Sequence, residues 1–511
     1  MRARAAPWLL GALLLSRSAT ARPEEGAPPG PRGITFAEAV DLALAHNLDL
    51  RSARVTALLR RFDIDEAEAR WDPAMEAAAN VGETLLPSRD SLAGADVVDV
   101  DRTGFSAGVT KPFRLGPSLG LAWRADRSFT NSSFSTINPA YDTALDLTLT
   151  VPLLRGRGRE AQEAVLRASR AGAEEAVHAL HDEAERLVRS VADAYWNLVY
   201  LDRRVGVLEK SVGVAREIEA SERRKLAPEI GRSTLLDVTQ AEAETKRREV
   251  TLLQGRLDAE NAADNLRALV LPFTGGLGDG RMLRAVEMPR EGGELPPLAG
   301  MIERGLRERP DLARIDAEIE RLREGVVAAQ DAMRFQLDLT ATGTWRGVDG
   351  DLERSAADTL SGKTPSAAAA LLFRWPFGRR AARAALGRAE LEVEAARIRR
   401  ERQVNTVVVE VRGAHRGVRT AVEGIAASRE EVRAAAASLD GERQRLARGS
   451  STVLDVSRLE ENLTAAELRL LEAQTRLEQA RIALERAAGT LLDRLAIRIG
   501  GARDSARAAD G

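Results

Sequence analysis

The sequence states one helix-turn-helix phrase twice. Arg224-Lys225-Leu226 runs through Gly231 into Ser233-Thr234-Leu235-Leu236-Asp237-Val238, and Arg445-Leu446 runs through Gly449 into Ser451-Thr452-Val453-Leu454-Asp455-Val456. Leu252, Leu253 and Leu266 recur at the same offset as Leu470, Leu471 and Leu484. A long charged helical pattern precedes each motif and another follows it. A duplicated hairpin of this length exceeds what an ordinary globular core accommodates and predicts a tall, pseudo-symmetric molecule.

The helical patterns fix its dimensions. Two descending segments, residues 157–226 and 378–447, each predict a rod of ~105 Å at ~1.5 Å per residue. The returning segments, 234–270 and 453–494, are too short to climb back alone. Residues 301–333 are expected to complete the first climb and residues 34–70 the second. Charged residues make up 30% of the chain and aromatics 4%, a balance suited to long solvated helices. Ala192, Ala194, Leu198 and Val199 typify an Ala-rich seam that lets backbones approach closely, flanked by charges at i,i+4 spacing. Residues 271–300, rich in Gly and Pro, read as an equatorial linker between a first repeat (34–270) and a second (301–496). Residues 497–511 read as a disordered tail.

The N-terminus reads as a signal peptide over residues 1–21: basic Arg2 and Arg4, an apolar stretch from Trp8 to Leu15, and Ala19-Thr20-Ala21 as cleavage site. A flexible leader, 22–33, follows. The chain has no cysteine, so it needs no disulfide in an oxidising compartment and has no thiol for a lipid anchor. A formal net charge of −2 supplies no field for nucleic acid. No segment reaches the ~18 apolar residues of a spanning helix, so any passage through a bilayer is by strands.

Such strands are present. Tyr141, Thr143, Leu145, Leu147, Leu149 and Val151 alternate with Asp142, Ala144, Asp146, Thr148 and Thr150. Residues 335–345 repeat the pattern, with Phe335, Leu337, Leu339, Ala341 and Trp345 opposing Gln336, Asp338, Thr340, Thr342 and Thr344. Weaker partners lie at 74–84 and 367–375, and Trp345 and Trp375 are expected near strand ends. Period-two alternation over about ten residues is the signature of a membrane barrel, and also of a half-buried soluble sheet. Two further candidates, around 104–112 and 118–127, have no counterpart in the second half. An extracellular hairpin, an extension of neighbouring strands and added barrel strands all fit them. Four strands cannot close a barrel, and an open edge in lipid leaves backbone groups unsatisfied, so a barrel requires several copies.

Ile34-Thr35-Phe36 through Ala43, Asn47 and Leu50, the turn Val151-Pro152-Leu153-Leu154-Arg155-Gly156, the stretch Ala194-Tyr195-Trp196-Asn197-Leu198 and the two Gly…Leu-Asp-Val tips together resemble the TolC-like outer-membrane efflux and secretion channels, the outer membrane factors. The resemblance spans residues 34–496. It implies an α+β membrane protein, internally duplicated: an outer-membrane β-barrel shared between protomers plus a long periplasmic α-helical coiled-coil tunnel. It further implies a homotrimer with a twelve-stranded barrel. Such a channel is a passive, cofactor-free conduit opened at its tips by a periplasmic membrane-fusion adaptor and powered by an inner-membrane pump of the RND, ABC or similar class. The alternative is a periplasmic coiled-coil adaptor or stalk without a barrel.

Thr234-Leu235-Leu236-Asp237 and Thr452-Val453-Leu454-Asp455 both have the spacing of a capping box, in which the acid satisfies an orphan amide and favours the positive end of its helix. The resemblance adds a second role for Asp455. The second-repeat tip lines the closed periplasmic mouth, where a ring of carboxylates repels itself and attracts cations. Arg458 lies three residues on, placed to pair with Asp455, where some relatives carry an acid; Gln240 holds that place in the first repeat. The arginine that latches the mouth in the best-known relatives falls at Ser451, so gate electrostatics do not transfer. Gly231 and Gly449 suit helix-end turns. Leu235, Leu236, Val453 and Leu454, with Thr234 and Thr452, either meet an adaptor or pack within their hairpins. His178 and His181 have helical metal-ligand spacing without a third ligand nearby. Arg155-Gly156-Arg157-Gly158-Arg159 lacks interleaved aromatics and reads as a rim turn, not a nucleic-acid site. No phosphate loop or nucleophile–base constellation is evident, so no enzyme is expected.

Overall fold

The computed structural model describes residues 32–88, 94–226, 233–271, 283–290, 292, 294–448 and 450–498. The signal peptide, most of the leader, Gly231, Gly449 and most of the tail lie outside these residues. The first repeat comprises β1 (Arg32–Ile34), α1 (Phe36–His46), α2 (Leu48–Ala69), β2 (Ala74–Pro87), β3 (Val97–Pro112), β4 (Ser118–Thr130), β5 (Ala140–Pro152), α3 (Arg159–Lys225) and α4 (Leu235–Val270). Next come β6 (Leu283–Ala285), α5 (Leu298–Glu308) and α6 (Pro310–Ala332). The second repeat continues through β7 (Gln336–Asp349), α7 (Leu352–Ser361), β8 (Pro365–Arg374), α8 (Arg380–Ala447), α9 (Val453–Ala487) and α10 (Leu491–Arg494).

The two descending rods, α3 at 67 residues and α8 at 68, are each ~100 Å long. The returning rods are jointed, and local chemistry makes the joints. Asn47 ends α1 in an extended conformation and its side chain accepts from the amides of Asp49 and Leu50, starting α2. Arg309 is extended because it precedes Pro310, which occupies the first turn of α6 where its missing N–H costs nothing.

Which pieces stack differs from the sequence expectation. In the half nearer the strands the rods lie in the order α2, α3, α6, α8; in the half nearer the tips the order is α4, α3, α9, α8. Helix α2 therefore stands over α4, and α6 over α9, the reverse of the expected pairing. The Asn47 side-chain amide donates to the carbonyl of Leu269 at 3.3 Å across the first joint. At the second, a Cβ on Gly305 would lie 3.0 Å from the Ala487 carbonyl oxygen, so only glycine lets α5 come this close to the end of α9. β1, whose first residues belong to the segment read as leader, pairs in parallel with β6 in the linker. This pins residues 32–34 beside α3.

The core sits at this mid-height collar. Ile34, Ala39, Val40 and Leu50 pack on Val188, Val191, Tyr195, Leu198 and Val199 of α3 and on Leu266 and Val270 of α4. Tyr195 is fully buried; its hydroxyl donates to the Ile34 carbonyl at 3.2 Å, and burial pushes its pKa up to about 12. Phe36 and Trp196 flank its ring at 5.7 and 5.4 Å. A second cluster joins Met301 and Leu312 to Val407, Val411 and Val418 of α8 and to Leu484 of α9.

The strands form one antiparallel sheet in the order β2-β3-β4-β5-β7-β8. The segments whose role the sequence left open, β3 and β4, are full members of it, so each chain contributes six strands where four were expected. Register aligns Ala79, Phe105, Ala125, Thr143 and Gly347 across one row. One face thus carries Met75, Val109, Leu121 and Leu147 along a row, with Leu149, Leu339 and Leu371 below it. The other carries Ser106, Gly108, Ala122, Arg124, Asp146, Thr148, Thr342 and Thr344.

Helix α7, not expected from sequence, lies on the apolar face near the end remote from the long helices. Asp351 caps it by accepting from the Glu353 and Arg354 amides, and Gly362 ends it at φ 69. Thr143 meets Ser355 and Thr359 hydroxyl to hydroxyl at 2.9 and 2.7 Å. Trp345 lies inside β7 instead of at its end. Trp375 follows β8 directly and joins Phe335 and Phe373 in an aromatic cluster, with Phe335 at 5.2 and 5.4 Å from the two rings. Among the described residues, no helix is long and apolar enough to cross a membrane.

Candidate functional site

Two places combine the features of a conduit: the helical tips and the polar face of the sheet. At the first tip α3 ends at Lys225 and α4 begins after Thr234. The Thr234 hydroxyl and amide donate to Asp237 Oδ2 at 2.7 and 2.9 Å, and the Asp237 amide donates back to the hydroxyl at 3.2 Å. The second tip repeats this: the Thr452 hydroxyl donates to Asp455 Oδ2 at 2.6 Å and receives the Asp455 amide at 3.2 Å. Both acids are thus capping residues. The Thr234 hydroxyl, then its amide, hold the Asp237 carboxyl below the usual range. The Thr452 hydroxyl does the same for Asp455, aided by its amide and by the positive charge of Arg458. That charge acts from a distance: among the described residues no ion pair joins Asp455 to Arg458. Both carboxylates are therefore charged at neutral pH.

The tips converge. The first turns of α4 and α9 form a cleft walled by Asp237, Gln240, Glu244 and Arg247 on one side and Thr452, Leu454, Ser457, Arg458 and Glu461 on the other. So the structure brings Asp237, Thr452, Val453, Leu454 and Arg458 together. Leu235 and Leu236 stand apart, 72% and 64% exposed, and Leu454 is also exposed. Val238 and Val456 hold the hairpins from inside, at 7% and 3% exposure. The apolar surplus at the tips therefore faces outward.

Sequence reasoning missed the residue that ties the two hairpins together. Arg248 on α4 is 6% exposed. Its Nη1 donates to the Ser211 carbonyl and hydroxyl on α3 at 3.2 and 3.1 Å, and its Nη2 donates to the Ser457 carbonyl and hydroxyl on α9, both at 3.1 Å. Its Nε donates to Glu244 at 2.7 Å. Aligning the repeats offers a signal. The second-repeat counterpart of Arg248 is Ala466, fully buried, so an arginine stands where the duplication elsewhere uses alanine.

On the polar face of the sheet, Arg124 meets Asp146 at 2.6 Å, and the Thr344 hydroxyl donates to the other oxygen of Asp146 at 2.6 Å. Around this pair the lining is mainly Thr, Ser, Gly and Ala, with Glu76 as a further charge. His178 and His181 lie on α3 among the rods, and burial lowers the His181 pKa. The only acid or histidine group with metal-binding proximity among the described residues is Glu83, Asp99 and Asp101, at the far rim of the sheet.

Residues 301–490 match the family described as Outer membrane efflux protein. No match was found among curated proteins by sequence. The fold is similar to the outer-membrane channel OprN, with TM-score 0.66, 18% identity, and 89% of this chain and 90% of that one covered. It is similar to the CmeC outer membrane channel of Campylobacter jejuni, with TM-score 0.66, 15% identity, and 93% and 88% covered. It is also similar to the outer membrane protein VceC of Vibrio cholerae, with TM-score 0.64, 18% identity, and 89% and 96% covered. In sequence over its second repeat, and in fold over nearly its whole length, the chain resembles the outer-membrane efflux channels.

Proposed function

We propose that the chain is the outer-membrane exit channel of a multi-component efflux or type I secretion system. Three copies close a barrel in the outer membrane and continue it as a helical tunnel in the periplasm. The observation that carries this reading is the sheet itself, with one apolar face, one polar face and two unpaired edges, standing at one end of rods ~100 Å long. In water the apolar face and both edges are unsatisfied; in lipid, with further copies on either side, all are satisfied. A stalk without a barrel leaves the sheet unexplained.

In this reading the conduit is passive. Cargo moves under the force of an inner-membrane pump, and a periplasmic adaptor opens the tips by docking on Leu235, Leu236 and Leu454. Asp455 faces the mouth. Outer-membrane fractions tested by native and heated electrophoresis give a heat-modifiable trimer if this is correct. A water-soluble monomer rejects it.

A further inference from the structure

We propose that β3 and β4 are wall strands of the pore, so that three copies close an eighteen-stranded barrel with a wide, polar lumen able to pass bulky hydrated cargo. This rests on the channel reading above and specifies its bore. The first support is register. β3 and β4 do not splay away as a surface hairpin; they pair along their length with β2 and β5, and over residues 104–109 and 118–125 both keep the two-faced alternation of β5 and β7. Phe105, Ala107, Val109, Leu119, Leu121 and Trp123 continue the apolar face, and Ser106, Gly108, Gly120 and Ala122 continue the polar one.

The second support is the edges. β2 and β8 are exposed along their entire lengths, unlike the four strands between them. β2 runs away from the helices and β8 runs back towards them. The β8 edge of one copy therefore meets the β2 edge of the next as an antiparallel pair, which continues the ladder around a closed ring.

The third is dimensional. Six strands ~4.8 Å apart and tilted by ~40° span an arc of ~38 Å. Four rods at ~9–10 Å spacing span ~36–40 Å. Each chain thus offers nearly the same arc to barrel and tunnel, and the two join without taper. On the same spacing, eighteen strands give a backbone diameter of ~36 Å, against ~24 Å for twelve. On the inner face of β3 and β4, Gly104, Ser106, Gly108, Gly120 and Ala122 leave that added width open, and Arg102, Arg124 and Asp126 give it charge.

Cysteine accessibility tests this, since the natural chain has none. Single cysteines at Ser106, Ala107, Leu121, Ala122, Leu147 and Thr148 are treated in intact cells with a water-soluble maleimide. S106C and A122C are expected to react as readily as T148C, with A107C and L121C protected like L147C. If the β3 and β4 positions all react alike while L147C and T148C still differ, the extra strands stand outside the membrane. The wide bore is then overturned and the channel survives. If L147C and T148C also react alike, the channel reading itself fails. Native mass spectrometry of the detergent-extracted protein must show three copies; two copies carry only twelve strands and overturn the bore. Polyethylene glycols added on the extracellular side in planar bilayers are expected to enter up to a hydrodynamic diameter above 20 Å. Exclusion of polymers at or below ~14 Å, the free width left in a twelve-stranded ring after ~5 Å of side chain on each side, refutes the proposal.

Discussion

Replacing Arg248 with alanine removes a buried side chain that hydrogen-bonds to both hairpins near the tips. Its Nη2 makes two bonds to Ser457 on the second hairpin, both at 3.1 Å. Charge-assisted bonds contribute ~1.5–3 kcal/mol each, and two bonds sharing one nitrogen fall towards the low end, for a junction of roughly 2–4 kcal/mol per chain. At ~1.4 kcal/mol per tenfold change, separation of the hairpins becomes roughly 30- to 1,000-fold easier. The purified protein, in the trimeric channel form proposed above, is assayed in planar bilayers, where Arg248→Ala is expected to raise the time spent in the high-conductance state by that order. Ser457→Ala removes the hydroxyl acceptor and keeps the carbonyl, so its effect is smaller. In the double variant the two effects are less than additive, because both act on one junction. If Arg248→Ala assembles as a trimer and its conductance is unchanged, Arg248 is an ordinary core contact and the reasoning fails.

The remaining predictions concern single groups. Asp455→Ala weakens divalent-cation block of conductance, and unaltered block removes Asp455 from the mouth. Because the native Asp455 pKa is depressed, its cap is intact above the ordinary aspartate value of ~3.9 and is lost as pH falls through the lower native value; hydrogen exchange at the start of α9 rises there and not at neutral pH. Glu185, 5% exposed, is pushed up to about 7 by burial, with the nearby charge of Arg486 opposing. An acid raised in the folded state loses stability as pH climbs from its unfolded value to its native one, so Glu185→Gln is expected to stabilise by roughly 3 kcal/mol above pH 7 and to flatten the thermal profile between pH 4.5 and 7. Gly347→Ala places a Cβ 2.0 Å from the Ser355 carbonyl oxygen and displaces α7, which limited proteolysis of intact cells detects as a new cut near residues 350–362; resistance equal to that of the parent contradicts the packing described.

Much of this architecture was legible in the chain. Rod lengths follow from the run of helical pattern, and α3 and α8 match their expected bounds within two residues at each end. The Thr-x-x-Asp spacing announced both caps. The stacking of α2 on α4 was not legible, because helical periodicity states which face is apolar and not which neighbour covers it. The parallel β1–β6 pair that decides the matter involves three residues on each side. Nor did alternation reveal the place of β3 and β4, since a surface hairpin and a wall strand share the same period; only register distinguishes them. Helix α7 escaped notice because it is short and buries serine and threonine, Ser355 and Thr359, while its leucines, Leu352 and Leu360, stay exposed. Arg248 was hidden for a different reason: in a chain with charged residues at nearly every turn, a buried arginine looks like a solvated one until the repeats are overlaid.

The joints at mid-height have a mechanical consequence. Among the described residues no backbone hydrogen-bond ladder crosses from α2 to α4 or from α6 to α9, whereas α3 and α8 run unbroken past both breaks. The unbroken rods act as splints, and the packed collar around Tyr195 and Val407 is the clamp. In the channel proposed above, torque applied to α4 or α9 below the clamp first rolls those segments against their splints. On that reading the foot unwinds while the head keeps its width.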